Sequence, residues 1–234
     1  MTTRPAFAMV AGLPVLSWRL PTPWLSISSA VLGGGIGERH WACNATVRHD
    51  YDRPDPAVHL TEIGTALGCA GSGVGLLTAV DVRDQVTRVD HGVSACVTTG
   101  VGKHPTWAAA PESEFDSDPA TPGTVNAVCL LPVRLTEGAL VNAIATVAEA
   151  KAQAFREVGV PGTGTCTDAT IVLCPPDGEP ERYGGPRSRI GGALARAVHA
   201  AVRTGLLAPE PRLTPWPADV GSSPRPPGLS SIVD

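Results

Sequence analysis

Residues 136–174, TEGALVNAIATVAEAKAQAFREVGVPGTGTCTDATIVLC, decide the expected fold of this 234-residue chain. The stretch predicts a long helix over 137–158, a turn rich in glycine and threonine, and an apolar strand. No charged residue occurs from 138 to 148. Because a surface helix normally carries a charge in every turn, we expect this helix to be largely buried. With the rest of the chain, the patterns predict about eight strands and three main helices, and the strands are often adjacent in sequence. They favour a single α+β domain with a mixed β-sheet over regular alternation of strands and helices.

The domain is expected to end near residue 207, after a last amphipathic helix. Residues 208–234 are rich in proline, serine and glycine and carry little apolar periodicity. A segment of that composition cannot bury enough apolar surface to fold by itself. We therefore expect residues 1–207 to form the domain and residues 208–234 to form a disordered tail.

Composition excludes some classes of binding partner and indicates the cellular compartment. Charged residues make up 17% of the chain, the net charge is -4 and no basic run occurs, which argues against nucleic acid and anionic membranes as partners. The N-terminal residues lack the pattern of a signal peptide, and no apolar run reaches the roughly 18 residues of a membrane span. We expect a cytoplasmic protein whose cysteines are reduced, and composition leaves its oligomeric state open.

The long helix carries polar residues on one side. At 100° per residue, Asn142, Thr146, Glu149 and Gln153 fall in a stripe about 60° wide, and Lys151 lies on the opposite, apolar face. Two interpretations stay open. Either the stripe is solvated and Lys151 reaches water along its aliphatic stem, or the stripe lines a site where ionised groups need partners.

The loop after the helix, GTGTCTD at 162–168, is either a simple helix-to-strand turn or a pocket wall that supplies hydroxyls and a carboxylate. It is not a phosphate-binding loop, because no Gly-Lys-Ser/Thr follows and the next element is a strand. Three glycines, Gly33 to Gly35, follow another strand and form either a flexible turn or a place of close approach to a ligand. His104 lies in a long Pro-rich, acidic loop at 103–123. These residues alone indicate a pocket rich in Thr, Asn and Gly, and they do not identify a substrate.

Read together, several segments resemble the adenosylcobinamide amidohydrolase family over roughly residues 12 to 206. In chain order they are LSISSAVLGGG, NATVRHDYDRPDP, GVGLLTAVDV, TTGVGKHPTWAA, PGTVNAVCLLPV, LVNAIATVAEAK, GTGTCTDA and YGGPRSRIGGALARAVHAAV. The family usually has Gly-Thr-Gly-Thr-Asp, whereas Cys166 and Thr167 intervene here. It usually has Thr before Glu-Ala-Lys, whereas Ala148 stands there in this chain.

The resemblance implies an enzyme that hydrolyses the amide between the aminopropanol arm and the corrin ring of adenosylcobinamide. The product, adenosylcobyric acid, would re-enter the synthesis of coenzyme B12, a salvage of scavenged corrinoid. Two alternatives remain: a corrinoid-binding protein without turnover, and a threonine-nucleophile amidase, activated by self-cleavage, that acts on another amide. No cofactor is required, since the corrinoid cobalt belongs to the substrate. A divalent metal is left open, because the spacing of Asp50, Asp52, Asp81 and Asp168 does not demand one.

The resemblance also implies roles for individual residues. Glu149 would be the base or its orienter, and Thr165 or Thr167 the nucleophile or an oxyanion donor. Lys151 would pair with Asp168 and tie the loop to the helix. The loop at 103–123 would act as a lid over the corrinoid, with Trp107 stacking on the ring. The residues expected to bind the substrate are Gly33, Gly34, Gly35, Asn44, Thr98, Thr99, His104, Trp107, Asn126 and Asn142.

Overall fold

The computed structural model describes residues 4–102, 105–110 and 123–209. Within these ranges it contains one mixed sheet of eight strands, together with three α-helices, which confirms the predicted α+β class. The elements are β1 (Ala6–Val10), β2 (Leu13–Ser28), β3 (Gly35–Thr46), α1 (Pro56–Ala66), β4 (Gly73–Thr78), β5 (Val86–Asp90), β6 (Val93–Gly100), β7 (Thr124–Leu130), α2 (Glu137–Glu157), β8 (Ala169–Cys174) and α3 (Arg189–Leu207). His104 and residues 210–234, nearly all of the predicted tail, lie outside the described residues.

The sheet has the strand order β4-β3-β2-β8-β7-β6-β5, and β1 pairs with β2. The pairs β3–β4 and β7–β8 are parallel, and the others are antiparallel. Strand β2 belongs to both halves of the sheet: it pairs with β3 along much of its length, and Leu25–Ser28 also pair with β8. Its register shifts between Arg19 and Trp24, where Pro21 and Pro23 cannot donate to the ladder. The long bent strand connects two half-sheets that face each other.

The half-sheets enclose an inner core, and helices cover their outer faces. The inner core includes Trp18, Leu76, Val128 and Leu173. Since side chains alternate across a strand, Cys129 points the other way, into the core formed with α2 and α3. On the far side, α1 packs against β3 through a third cluster. The domain therefore has four layers in the order helix, sheet, sheet, helices.

Helix α2 is buried along one face. Thr136 caps its start, since the Thr136 hydroxyl accepts a hydrogen bond from Ala139 N at 3.2 Å. Its buried residues are Ala139, Leu140, Ala143, Thr146, Val147, Ala150, Ala154 and Phe155. The expected burial is confirmed for this face, whereas Val141, Ala145, Ala148 and Glu149 on the opposite face are exposed. Small uncharged side chains keep that face free of charge from 138 to 148 without covering it. No helix within the described ranges is long and apolar enough to cross a membrane.

Candidate active site

A cavity of about 370 Å³ opens where the two half-sheets meet. Its size is within the range of small-molecule sites. One wall comes from the residues that follow β2 and β3 and from the end of β4. The other comes from the start of β7, the end of the loop before β8 and the first residue of β8. The lining residues are Ser29, Ala30, Val31, Val47, Arg48, His49, Tyr51, Pro56, Leu76, Leu77, Thr78, Ala79, Thr124, Thr167, Asp168 and Ala169. The cavity therefore brings together segments that are far apart in the sequence.

Asp168 is the carboxylate of this cavity, and it accepts hydrogen bonds on both oxygens. Its Oδ1 accepts from Val125 N at 2.8 Å and from the Thr165 hydroxyl. Its Oδ2 accepts from Thr165 N at 3.0 Å and from the Lys151 ammonium. The ion pair expected between Lys151 and Asp168 is thus present, with 18% and 14% of the two side chains exposed. A carboxylate has about four lone-pair sites, and these contacts occupy them. Asp168 is therefore placed to hold its neighbours and has no free site to take a proton from a substrate.

A cluster of threonine hydroxyls surrounds the carbonyl oxygen of Gly123. Thr165 Oγ1 lies 2.7 Å from Gly123 O, and Thr167 Oγ1 lies 2.8 Å from it. Thr167 Oγ1 is also 2.6 Å from Thr124 Oγ1. Thr124 and Thr167 line the 370 Å³ cavity. The cavity wall therefore presents a hydrogen-bonded pair of hydroxyls, with the Asp168–Lys151 ion pair beside it.

Gly164 leaves room for the Asp168–Lys151 ion pair beside the loop at 162–168. A Cβ at Gly164 would lie 2.3 Å from Asp168 Oδ2 and 2.5 Å from Lys151 Nζ, so a side chain there would separate the ion pair. The same loop pairs with the short segment at 105–110. Thr106 N donates to Gly164 O at 2.8 Å, and Thr163 N donates to Thr106 O at 3.0 Å. This contact places Trp107, which is 52% exposed, next to the loop.

The opposite wall contains residues to which the sequence patterns assigned no role. Arg48, His49 and Tyr51 follow β3 and line the cavity. Tyr51 stacks on His59 with the ring centroids 5.5 Å apart, and its hydroxyl lies 3.1 Å from His59 Nδ1. Burial, helped by the nearby Arg53 guanidinium, lowers the pKa of His59 below its usual value. The signal that could have found this wall is the density of ionisable residues in RHDYDRPD at 48–55, directly after a buried strand.

A second set of predicted site residues lies between the half-sheets instead of lining the cavity. Asn126 Nδ2 donates to Asn44 Oδ1 at 3.0 Å and to Leu77 O at 2.9 Å. Asn44 Nδ2 donates to Thr98 Oγ1 at 3.2 Å. All three side chains are buried. We call Asn44, Thr98 and Asn126 the interlayer network. Its place in the fold is that of a structural link between β3, β6 and β7.

The predicted residues on α2 and at the end of β6 lie apart from the cavity. Glu149 is exposed on α2, on the side away from Lys151, so for this residue the solvated-stripe interpretation agrees with the structure. Thr146, on the same predicted stripe, is buried and donates to Gly184 O at 2.9 Å. Asn142 is exposed. Thr99 faces Gly205 of α3.

Gly33 and Gly34 lie in the connection between β2 and β3, and Gly35 is the first residue of β3. Gly33 O accepts from the Arg39 guanidinium at 2.8 Å and 3.2 Å. A Cβ at Gly33 would lie 2.2 Å from Gly73 O, so the close approach is to the chain's own backbone. The earlier residues of this connection, Ser29 to Val31, line the cavity. The predicted contact of Gly33 to Gly35 with the substrate stays a prediction.

The carboxylates considered for a metal are dispersed. Asp50 pairs with Arg48, Asp81 with Arg83 and Asp168 with Lys151, and Asp52 is exposed. In the part of the chain that the structure describes, no group of three or more His, Cys, Asp or Glu side chains is placed to hold a metal ion. Burial also raises the pKa of the Cys43 and Cys129 thiols to about 12, so neither is a ready nucleophile.

Comparisons with known proteins identify the family of this chain. The family model for adenosylcobinamide amidohydrolase, CbiZ, matches residues 3–212. The adenosylcobinamide amidohydrolase of Methanosarcina mazei is 31% identical over 187 residues, which cover 76% of this chain and 88% of that protein. The protein of the same name from Halobacterium salinarum is 30% identical over 188 residues, covering 78% and 79%. Among solved structures, the PH0078 protein from Pyrococcus horikoshii OT3 has a TM-score of 0.42 at 11% identity, over 82% of this chain and 76% of that one. On the family model and the two curated relatives, this chain belongs to the adenosylcobinamide amidohydrolase family.

Proposed function

We propose that this protein hydrolyses the amide between the aminopropanol arm and the corrin ring of adenosylcobinamide, releasing aminopropanol and adenosylcobyric acid for corrinoid salvage. Membership of the family supports a hydrolase that acts on an adenosylcobinamide amide. The observation that carries the finer proposal is the Thr124–Thr167 hydroxyl pair on the cavity wall, held beside the Asp168–Lys151 ion pair.

Amide hydrolysis needs a nucleophile, a route for its proton and donors for the developing oxyanion. The two hydroxyls are 2.6 Å apart, so one can attack the amide carbon while the other accepts its proton and passes it to the leaving amine. Water then cleaves the resulting ester, and the hydroxyl is restored. Arg48 and His49, on the opposite wall of the same cavity, face the space where the amide would lie.

Asp168 and Lys151 act as positioning residues in this proposal. The Asp168 carboxylate accepts hydrogen bonds from the backbone N–H and the hydroxyl of Thr165. It also accepts from the backbone N–H of Val125, the residue after Thr124. Lys151 neutralises its charge. Because all acceptor sites of Asp168 are occupied, the carboxylate fixes the loop without taking the proton itself. Glu149, expected from the sequence to be the base, lies outside this wall, and the proposed mechanism does not use it.

The size of the cavity suggests how the substrate would sit. A corrin macrocycle with its side chains is too large for a space of about 370 Å³, whereas the aminopropanol arm fits. The ring would therefore rest at the mouth, where neutral hydrogen-bonding groups and an aromatic face suit it. Trp107, half exposed beside the loop at 162–168, is the aromatic residue we propose to stack on the ring.

The direct test is incubation of the purified protein with adenosylcobinamide, followed by mass spectrometry for adenosylcobyric acid and aminopropanol. We expect both products in equal amounts. Cys166→Ser serves as the matched control, because this exposed cysteine stands between the threonines and does not line the cavity. The variant should keep the parent's rate. Binding of adenosylcobinamide without any product would overturn the proposal in favour of a corrinoid-binding protein without turnover.

A further inference from the structure

The peptide bond between Gly123 and Thr124 has an unusual environment. Its carbonyl oxygen lies within hydrogen-bond distance of two hydroxyls, those of Thr165 and Thr167. The residue on its amine side is Thr124, whose own hydroxyl contacts Thr167. A polarised carbonyl is thus followed directly by a hydroxyl nucleophile with a proton acceptor beside it. We propose that the chain cleaves itself between Gly123 and Thr124 and leaves Thr124 with a free α-amine on the cavity wall.

The chemistry balances with one molecule of water. The Thr124 hydroxyl attacks the carbonyl carbon of Gly123, its proton passes to Thr167 Oγ1, and the proton of Thr167 moves to Gly123 O. Thr165 can turn its proton from Asp168 to Gly123 O as negative charge develops there, since both acceptors are within reach. The carbon–nitrogen bond then breaks as the proton on the former carbonyl oxygen passes through Thr167 Oγ1 to the Thr124 nitrogen, and an ester joins Gly123 to Thr124 Oγ1. Hydrolysis of this ester gives a carboxyl group on Gly123 and restores the Thr124 hydroxyl.

The packing around the bond restricts position 123 to glycine. A Cβ at Gly123 would lie 2.4 Å from Val101 O and 2.7 Å from Gly100 O, so a side chain there would push the carbonyl away from the hydroxyls. On the other side, Asp168 Oδ1 accepts from Val125 N at 2.8 Å. The bond is therefore held from both ends while the hydroxyls contact its oxygen.

The fold would survive the cut. Strand β6, before the bond, pairs with β7 after it along Ser94–Gly100 and Thr124–Leu130. Strand β2 pairs with β8 across the same division. Helix α3, from the second fragment, packs on the first through β5 and β6. The two fragments should therefore remain one particle under native conditions.

The new α-amine would complete the site. An α-amino group has a pKa of about 8, so near neutral pH a fraction is uncharged and can accept a proton. An N-terminal threonine whose own amine activates its hydroxyl is an established kind of nucleophile. The inference thus deepens the proposed function, on which its catalytic meaning rests, by identifying Thr124 as the nucleophile and its α-amine as the base.

The test is the intact mass of the freshly purified full chain under denaturing conditions, with N-terminal sequencing of any fragment. We expect fragments 1–123 and 124–234, the second beginning TVNAV, with masses that add up to the 24.0 kDa chain plus one water. Native size exclusion should show one particle. Thr124→Ser should still cleave, whereas Thr124→Ala should remain uncut while keeping the parent's circular dichroism spectrum.

Two loop variants sharpen the result. Thr167→Ala should cleave more slowly, because the proton acceptor is lost. Thr163→Ala should cleave like the parent, since the Thr163 hydroxyl accepts from Ala108 N and does not contact Gly123 O. An uncut parent of 24.0 kDa that hydrolyses adenosylcobinamide would overturn the inference and leave the proposed function intact. A cut protein without hydrolysis would do the reverse.

Discussion

Two polar clusters in the described part of the chain differ in their surroundings. The cluster around Asp168 is ionic, contacts backbone N–H groups, and forms part of a cavity wall. The interlayer network of Asn44, Thr98 and Asn126 is neutral and sealed between the half-sheets. Residue types that look alike in the sequence therefore have different tasks, because one cluster faces a cavity and the other faces protein. Changing the first should alter chemistry, and changing the second should alter stability.

Among the variants that distinguish the two clusters, Thr167→Ala should lose the most hydrolytic activity. It removes one hydroxyl of the pair on the cavity wall, so we expect hydrolysis of adenosylcobinamide to fall by about 10²–10⁴-fold, the usual range for proton-transfer catalysis. The melting temperature should stay close to the parent's, because Thr167 is exposed. Steady-state rates and a thermal melt test both parts. A variant with the parent's rate would show that the Thr167 hydroxyl takes no part in the reaction.

Asp168→Asn should destabilise the fold most. The new amide has one acceptor oxygen in place of two, so it cannot accept from Val125 N as well as from Thr165 N. The Lys151 ammonium also loses its counter-ion. Removing one partner of a fully buried ion pair typically costs about 3–5 kcal/mol in free energy of unfolding. We expect a loss toward the lower end of that range, because 18% and 14% of the two side chains are exposed. Urea titration measures this loss.

Glu62→Gln is the matched control for Asp168→Asn, because Glu62 forms an exposed ion pair with Arg53. The free energy of unfolding should barely change in this variant. If Asp168→Asn unfolded at the same urea concentration as Glu62→Gln, the Asp168–Lys151 pair would not be a structural link.

Asn126→Ala examines the interlayer network. Asn44 Oδ1 and Leu77 O would lose their donor, and an unsatisfied buried acceptor costs about 1–3 kcal/mol of stability. The rate of hydrolysis per folded molecule should remain that of the parent, because Asn126 does not line the cavity. Asn142→Ala, at an exposed asparagine, is the control for stability. A large loss of rate in a folded Asn126→Ala protein would return Asn126 to the substrate-binding residues.

Trp107→Ala should weaken corrinoid binding by about 1–3 kcal/mol, the range for burying an aromatic side chain against a ligand. The melting temperature should hardly move, since the indole is half exposed without a ligand. Calorimetric titration with cobinamide measures the affinity. Tyr183→Ala removes another exposed aromatic ring and should leave binding unchanged. Equal affinities of the Trp107→Ala variant and the parent would contradict the stacking proposal.

Glu149→Gln should have the smallest effect. The carboxylate is exposed on α2 and lines neither the 370 Å³ cavity nor the smaller one of about 180 Å³ that Lys151 borders. We expect both the rate and the stability to stay near those of the parent. A strong loss of hydrolysis in a folded variant would mean that the exposed face of α2 belongs to the working site.

Hydrophobic periodicity predicted the helices and strands well, but it predicted less well which of their faces border a cavity. The apolar pattern of 136–174 gave the helix, the turn and the strand, and the helical angle separated Lys151 from Glu149. That angle indicated a partner for Lys151 away from the polar stripe, and the structure shows Asp168 in this position. The resemblance assigned Asn44 and Asn126 to substrate binding, but a strand pattern cannot tell whether a polar side chain borders a cavity or another sheet. That depends on the bend in β2, which brings the half-sheets together.

The cavity itself could not be predicted from local patterns. Its walls come from residues that follow β2 and β3, from the end of β4 and from residues near the starts of β7 and β8, so it exists only once the sheet has folded back. Thr124 looked like the first residue of an ordinary buried strand. Its contact with Thr167 joins positions that are 43 residues apart, and no spacing rule covers such a pair.

The most direct test of this account compares adenosylcobyric acid formation by Thr167→Ala and Asn126→Ala, each normalised to the concentration of folded protein. The account predicts that Thr167→Ala is slower than the parent by about 10²-fold or more, while Asn126→Ala, though less stable, keeps the parent's rate. The opposite ranking, with an active Thr167→Ala and an inactive folded Asn126→Ala, would place the chemistry between the half-sheets and contradict the assignment of the cavity wall.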